Sequence, residues 1–304
     1  MRCGFTAVIG APNAGKSTLV NALVGSKVAI VSPKVQTTRM NVRGVAMRGE
    51  TQIVFVDTPG IFKPRRRLDR AMVAAAWSGA GDADAVIHLV DAAEVVERPG
   101  GHAVADTASI IEGLKVSGRK VALALNKIDA MKHEQLLPLA EKLNASGVYE
   151  QVFMISALKG DGLDALSDWC VAKMKEGPWL YPADQAADIP SRLLAAEITR
   201  EKIYLRLHDE LPYASTVETE KWEDKKDGSV KIDQIIYVQR DSQKPIVLGK
   251  KGATIKMIGE LARKELEQIF DRRVHLFLFV KVREDWADKR EHYRDLGLEY
   301  PETE

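Results

Sequence analysis

Gly10-Ala11-Pro12-Asn13-Ala14-Gly15-Lys16-Ser17 has the form G-x-x-x-x-G-K-[ST] and stands between an apolar run, Phe5 to Ile9, and a helical pattern of Leu19, Val20, Leu23 and Val24. That placement predicts a strand, a phosphate-binding loop and a helix. The glycines let the backbone curl so that several N–H groups and the helix N-terminus converge on one anion. Lys16 is expected at the β- and γ-phosphates, and the Ser17 hydroxyl at Mg²⁺. Gly10, Pro12, Asn13, Ala14, Gly15 and Thr18 complete the expected phosphate-binding run.

The chain has 304 residues and a net charge of +1, enough for two domains. Residues 1–180 carry 22 basic and 18 acidic side chains and the rest 22 and 25, so neither half is a basic domain. Any nucleic-acid surface must be a local patch. Cys3 and Cys170 form no disulfide framework or metal cluster, and no disulfide partner is expected. There is no leader-like N-terminus and no apolar run near the roughly 18 residues that span a bilayer. A cytoplasmic protein is expected, with peripheral contact at the inner face of the cell membrane left open.

Outward from the loop, residues 1–176 alternate between two patterns. Ile53 to Val56, Ala85 to Val90, Val121 to Leu125 and Gln151 to Ile155 are apolar runs without alternation, as in strands buried on both faces. Leu68 to Ser78, Ala103 to Ser117, His133 to Ala145 and Leu163 to Lys175 read as helices. The expected fold is α/β, a doubly wound, mostly parallel sheet with its ligand at the carboxyl ends of the strands. Residues 177–190, GPWLYPADQAADIP, contain three prolines and read as a linker. Residues 191–304 follow the order α-β-β-α-α-β, a smaller α+β domain.

The remaining chemical motifs follow those strands. Asp57-Thr58-Pro59-Gly60 offers a carboxylate that reaches Mg²⁺ through water and a Gly60 amide that senses a γ-phosphate. Asn126-Lys127-Ile128-Asp129 ends the strand Val121 to Leu125. The Asp129 carboxylate can accept from guanine N1–H and the 2-amino group, a pair adenine lacks. Asn126 braces the loop and approaches N7, and the Lys127 stem packs along the base. Ser156-Ala157 would present the Ala157 amide to O6. In the loop Gln36-Thr37-Thr38-Arg39, Thr38 is chosen to complete the Mg²⁺ shell, with Thr37 as the alternative.

These ordered motifs resemble the Ras-like P-loop GTPases over about residues 3–175. The resemblance implies GTP binding, with Lys16, Thr38, Gly60 and Asn13 as the catalytic set. After Gly60 stands Ile61, where many relatives have a water-orienting glutamine, so slow intrinsic hydrolysis is expected. In related GTPases with an apolar residue there, an asparagine at the Asn13 position helps hold K⁺ against the phosphates. The resemblance extends that role to Asn13, whose alternative is to shape the loop only.

Gly249-Lys250-Lys251-Gly252 follows an apolar stretch and opens a long helix carrying Lys256. With the α-β-β-α-α-β order it resembles a bacterial-type (type II) KH domain, in which such a turn clamps single-stranded RNA. Gly249, Lys250, Lys251, Gly252 and Lys256 are the expected RNA-binding set. GAPNAGKSTLVNAL, VQTTR, DTPGI, NKID, LGKKGATIK and the terminal VKVREDWADKREHYRDLGL together resemble the Era family of bacterial GTPases. That resemblance implies GTP and GDP, the 3′ end of 16S rRNA and the 30S ribosomal subunit as partners, in small-subunit assembly. The alternative is an RNA-binding assembly factor whose GTP site is mainly regulatory. Phe277 and Phe279 share one strand face and are expected to pack in a core rather than stack on bases. Arg65-Arg66-Arg67 is the candidate segment for coupling the domains.

Overall fold

Apolar runs without alternation become parallel strands because both of their faces are covered. In the computed structural model, which describes residues 1–208 and 210–302, the strands are β1 (Arg2–Ile9), β2 (Val42–Arg48), β3 (Thr51–Asp57), β4 (Ala85–Asp91), β5 (Val121–Asn126), β6 (Tyr149–Met154), β7 (Lys175–Glu176) and β8 (Ala187–Asp188). They form one sheet in the order β6-β5-β4-β1-β3-β2-β8, with β7 antiparallel to the start of β1. The β1, β3, β4, β5 and β6 pairings are parallel, whereas β2 runs antiparallel to both β3 and β8.

Successive residues of β1 face opposite layers. Val8 packs with Leu19, Val20 and Leu23 of α1 (Lys16–Val24) and, on the same face, with Leu166 and Cys170. Ala7 and Ile9 belong to the other core, beneath α2 (Arg67–Asp82), α3 (Ala92–Glu97), α4 (His102–Ser117) and α5 (Leu136–Asn144). The first face is completed by α6 (Leu163–Lys173), whose Cys170 is a fully buried free thiol. This three-layer sandwich fills one compact unit: residues 1–29, 38–188 and the described residues from Tyr293 onward.

The second unit holds residues 30–37 and 189–292. In it, α7 (Ser191–Arg206), β9 (Ser215–Asp224), β10 (Val230–Val238), α8 (Lys244–Leu248), α9 (Ala253–Phe270) and β11 (Val274–Val282) follow the expected order. A short α10 (Arg290–Asp295) comes after them. The sheet order is β11-β10-β9, with β11 parallel and β9 antiparallel to β10. Helices α7, α8 and α9 cover one face, where Ile203, Ile236, Val247, Ile258 and Val280 meet. The other face carries Phe277 and Phe279, 47% and 50% exposed. Core packing was expected for both; a three-stranded sheet covered on one side leaves the alternate residues of its edge strand in solvent.

Three placements differ from the sequence expectation. Strand β2 lies outside the apolar runs expected as strands, and its antiparallel partner β3 supplies the pairing that a local apolar run does not. Residues 177–188, expected as a linker, lie along the first unit: β8 pairs with β2, and Leu180 and Tyr181 donate their amides to Gln52 Oε1 at 2.8 and 3.0 Å. Gln52 Nε2 returns a bond to the Tyr181 carbonyl at 2.7 Å. The described residues from Tyr293 onward belong to the first unit rather than the second. There Tyr300 lies under the Arg67 guanidinium, 5.0 Å from ring centre, and its hydroxyl accepts from Arg67.

Gln52 is fully buried and is the anchor for residues 177–188. Gln52→Ala should destabilise the protein by about 2–3 kcal/mol, because it leaves two amides and a carbonyl without their partner. Urea unfolding of the full chain, read by circular dichroism, checks this, and an unchanged midpoint is the contrary result.

Candidate functional site

The carboxyl ends of β1, β3 and β5 carry the sequence motifs into one unit. Gly15 adopts a left-handed conformation, φ 98°, and a Cβ there would lie 2.4 Å from Asn126 Nδ2. Only glycine lets the loop after β1 approach the strand end that presents Asn126. Asn126 then ties two loops together: its Nδ2 donates to the Ala14 carbonyl at 2.8 Å, and its Oδ1 accepts from the Ala157 amide at 2.9 Å. Ser156 Oγ donates to Asp129 Oδ1 at 2.6 Å, fixing the one carboxylate of the constellation that is exposed. Lys127, left-handed at φ 65°, pairs with Asp91 at the end of β4. Asp91 was not singled out in the sequence; the clue was its place at the end of a strand adjacent to β5.

Lys16 is buried in the loop, with Nζ donating to the carbonyls of Gly10 (3.1 Å) and Ala11 (2.8 Å). Burial pulls its ammonium down to about 8, partly resisted by the charge of Asp57. Asp57 is fully buried, and burial pushes its carboxyl up to about 6 against the hydrogen bond from Ser17, the charge of Lys16 and the hydrogen bond from Thr38. Ser17 Oγ donates to Asp57 Oδ2 at 2.7 Å, Thr38 Oγ1 donates to the same oxygen at 3.2 Å, and the two hydroxyls lie 2.9 Å apart. Asp57 Oδ1 is buried and has no hydrogen-bond partner among the described residues. Two hydroxyls and a carboxylate with an unused oxygen are hard donors, suited to a small divalent cation such as Mg²⁺.

Of the two threonines, Thr38 turns its hydroxyl toward Ser17 and Asp57. Thr37 turns away: its Oγ1 bonds within its own loop to Ser32 Oγ at 2.6 Å and to the Lys34 carbonyl at 2.7 Å. The Ile61 amide donates to the Gly10 carbonyl at 3.0 Å, holding the Gly60 segment against the phosphate loop. The Ile61 side chain is only 3% exposed and belongs to the core with Ile9 and Val90. Asn13 stands exposed on the loop with φ 62°, Pro12 and Gly15 are half-buried, Ala14 is buried, and Thr18 lies in the first turn of α1.

The second unit holds the other candidate site. Gly249, φ 73°, closes α8 with its amide on the Pro245 carbonyl at 2.8 Å, and a Cβ there would overlap Thr254. Gly252 opens α9, and its amide returns to the Gly249 carbonyl at 3.1 Å. Lys250, Lys251 and Lys256 are exposed and form no ion pair among the described residues. Arg263 and Lys264, farther along α9, are paired with Glu267 and Glu260. Ile246 on α8 and Met257 on α9, 56% and 47% exposed, add apolar surface flanking the turn in sequence. Sequence reasoning missed them because isolated apolar residues on helices read as core. Among the described residues, no helix is long and apolar enough to cross a membrane.

Residues 5–127 match the family model described as a 50S ribosome-binding GTPase, and residues 210–287 match a KH domain. GTPase Era of Caulobacter vibrioides is 60% identical over 98% of this chain and 97% of its own. GTPase Era of Maricaulis maris is 58% identical over 98% of each. Among solved structures, an alanine variant of Aquifex aeolicus Era bound to GDP and AlF₄⁻ superposes with TM-score 0.90 and 39% identity, covering 98% of this chain and 99% of that one. Era in complex with MgGDPNP and nucleotides 1506–1542 of 16S ribosomal RNA gives 0.89 and 38%, with the same coverage.

The burial of Lys16 and Asp57 sets a pH window for the phosphate site. Affinity for a magnesium–guanosine triphosphate complex should fall as pH rises through about 8, where Lys16 loses its proton, and as pH drops through about 6, where Asp57 gains one. Near pH 8 binding should take up protons from the buffer, since phosphate restores the Lys16 charge. Titration calorimetry in two buffers of different ionisation enthalpy measures that uptake; zero uptake, or uptake that persists in Lys16→Met, contradicts it.

Proposed function

The chain belongs to the Era family of GTPases, and from that premise we propose a GTP-driven switch that binds the 3′ end of 16S rRNA and assists assembly of the small (30S) ribosomal subunit. As a GTPase it converts GTP to GDP and phosphate. The single observation that carries the proposed coupling is the presence, in one chain, of the Ser17–Thr38–Asp57 oxygen cluster and a G-x-x-G turn whose exposed lysines form no ion pair among the described residues.

In the nucleotide half, Gly10, Pro12, Asn13, Ala14, Gly15, Lys16, Ser17 and Thr18 cradle the phosphates, with Lys16 placing its charge on the β- and γ-groups. Ser17 and Thr38 would ligate Mg²⁺ directly and Asp57 through water, and the cation when bound would neutralise charge on the β- and γ-oxygens. Asp129, steadied by Ser156, accepts from the guanine edge, the Lys127 stem lies along the base and Asn126 braces both loops; the Ala157 amide, which donates to Asn126 Oδ1 here, would have to share or exchange that bond to meet O6. Gly60 offers its amide to the γ-phosphate. Water attacks the γ-phosphorus while the bond to the β-phosphate oxygen breaks and GDP leaves. With Ile61 folded into the core, no side chain at that position orients the water, which supports slow intrinsic turnover.

Asn13 is the residue from which help with the transition-state charge is expected, by holding K⁺ beside the phosphates. In the RNA half, Gly249 and Gly252 let the backbone approach single-stranded RNA, and Lys250, Lys251 and Lys256 meet its phosphates. The burial of Ile61 also favours the second reading, in which the GTP site is mainly regulatory. Single-turnover hydrolysis with and without cognate rRNA separates the two, since stimulation by RNA belongs to the switch. We place the protein in the cytoplasm.

Lys250→Asp with Lys251→Asp should weaken capture of the 16S rRNA 3′ end at least about tenfold, through lost phosphate contacts, and leave RNA-free GTP turnover unchanged. Crosslinking with GTP, GDP and no nucleotide reads this out; undiminished capture would refute the RNA assignment. Replacing Na⁺ by K⁺ should raise turnover roughly tenfold or more through charge stabilisation, and Asn13→Ala should abolish the increase. Equal rates in the two salts remove K⁺ from the account.

A further inference from the structure

Helix α7 buries an unusual run of polar side chains: Glu197, Thr199, Arg200, Glu201 and Lys202 are all less than 9% exposed. Charged groups stay buried only when paired and hydrogen-bonded. Much of this pairing is local. Arg200 Nε donates to Glu197 Oε1 at 2.8 Å and Nη2 donates to Glu197 Oε2, while Lys202 joins Glu201 and Glu265.

Thr199 donates to Gln234 Oε1 at 2.6 Å, and further bonds from this helix reach residues 30–37, which lie in the same unit. Ile30 packs among Leu194, Ala195 and Ile198. The Val31 amide donates to Glu201 Oε1 at 2.8 Å. Tyr204 hydroxyl donates to the Gln36 carbonyl at 3.4 Å, and Arg200, its guanidinium 5.1 Å over the Tyr204 ring, donates from Nη2 to the Thr37 carbonyl. The last of these contacts is one peptide bond from Thr38. The carbonyl that Arg200 holds and the amide of Thr38 belong to the same rigid plane.

We propose that Arg200 is a positioning residue of the GTP site: by holding the Thr37 carbonyl it fixes the peptide from which Thr38 projects its hydroxyl to Ser17 and Asp57, and Glu197 aims the guanidinium. A planar guanidinium can chelate a carboxylate and still donate to a carbonyl; an ammonium in its place has a single nitrogen to share between them. This rests on the proposed role of Thr38 in sensing the γ-phosphate.

The test measures affinities of the full chain for fluorescent GDP and for a fluorescent non-hydrolysable GTP analogue with Mg²⁺, in Arg200→Gln, Arg200→Lys, Thr38→Ala and the Arg200→Gln/Thr38→Ala double variant. Arg200→Gln should lose about tenfold in affinity for the GTP analogue, the size of one charge-assisted hydrogen bond, and keep GDP affinity within about twofold on the same scale. The double variant should bind the analogue no more weakly than Thr38→Ala alone, as expected for two residues acting through one contact. Arg200→Lys, which keeps a charge opposite Glu197, should restore thermal stability without restoring analogue affinity. If Thr38→Ala itself leaves analogue affinity intact, the reading of Thr38 fails. If Thr38→Ala weakens the analogue but both Arg200 variants bind it like wild type, or lose GDP and analogue equally, or the losses add, the positioning role is overturned.

Discussion

Two opposite charges buried from solvent are the constraint on which the site depends. Lys16 and Asp57 are both buried, and the cost of burial shows in an ammonium lowered to about 8 and a carboxyl raised to about 6. The surrounding groups limit that cost without removing it: backbone carbonyls of Gly10 and Ala11 take the lysine, and the hydroxyls of Ser17 and Thr38 take one carboxylate oxygen, the other having no hydrogen-bond partner among the described residues. A phosphate beside the lysine and a divalent cation beside the carboxylate would complete both. Such a site is held ready for its ligand, because little needs to reorganise when the charges arrive.

The sheet makes this arrangement stable. Parallel strands bring β1, β3 and β5 to a common carboxyl edge, and Asn126 locks the loops together across it. The loop that supplies Thr38 is different in kind. Residues 30–37 are built into the second unit by the Ile30 side chain, by three backbone groups held by α7 and by the Lys34 ammonium on the Leu207 carbonyl, whereas Thr38 bonds to Ser17 and Asp57. A single peptide bond therefore joins the residue proposed to sense phosphate to a segment whose partners are those of the KH-bearing unit. No rigid pathway is required for such coupling, only two sets of contacts competing for, or agreeing on, one backbone conformation.

Much of this was legible in the sequence where a motif depends on local chemistry. GAPNAGKS, DTPG, NKID and the G-x-x-G turn all lie at strand or helix ends as expected, because glycine conformations, strand periodicity and helix starts are set by near neighbours. The misplaced features depend on distant partners. Strand β2 exists because β3 pairs with it, and residues 177–188 are fixed by buried Gln52, far back in the sequence. Phe277 and Phe279 looked like core until the number of covered sheet faces was known. Nothing in the charge run Arg65-Arg66-Arg67 indicated that Arg67 would stack on Tyr300. Thr38, the threonine chosen from the sequence, is the one whose hydroxyl turns to Ser17 and Asp57; the directions of the two hydroxyls are visible only in three dimensions.

If Thr38 acts as proposed, the phosphate state of the nucleotide is read through the backbone of residues 30–38. Amide hydrogen exchange across this segment, compared between GDP and a non-hydrolysable GTP analogue in saturating Mg²⁺, tests it most directly. Protection at residues 30–38 should rise with the GTP analogue while the core of β1 and β5 stays unchanged. Equal protection in the two nucleotide states would contradict it.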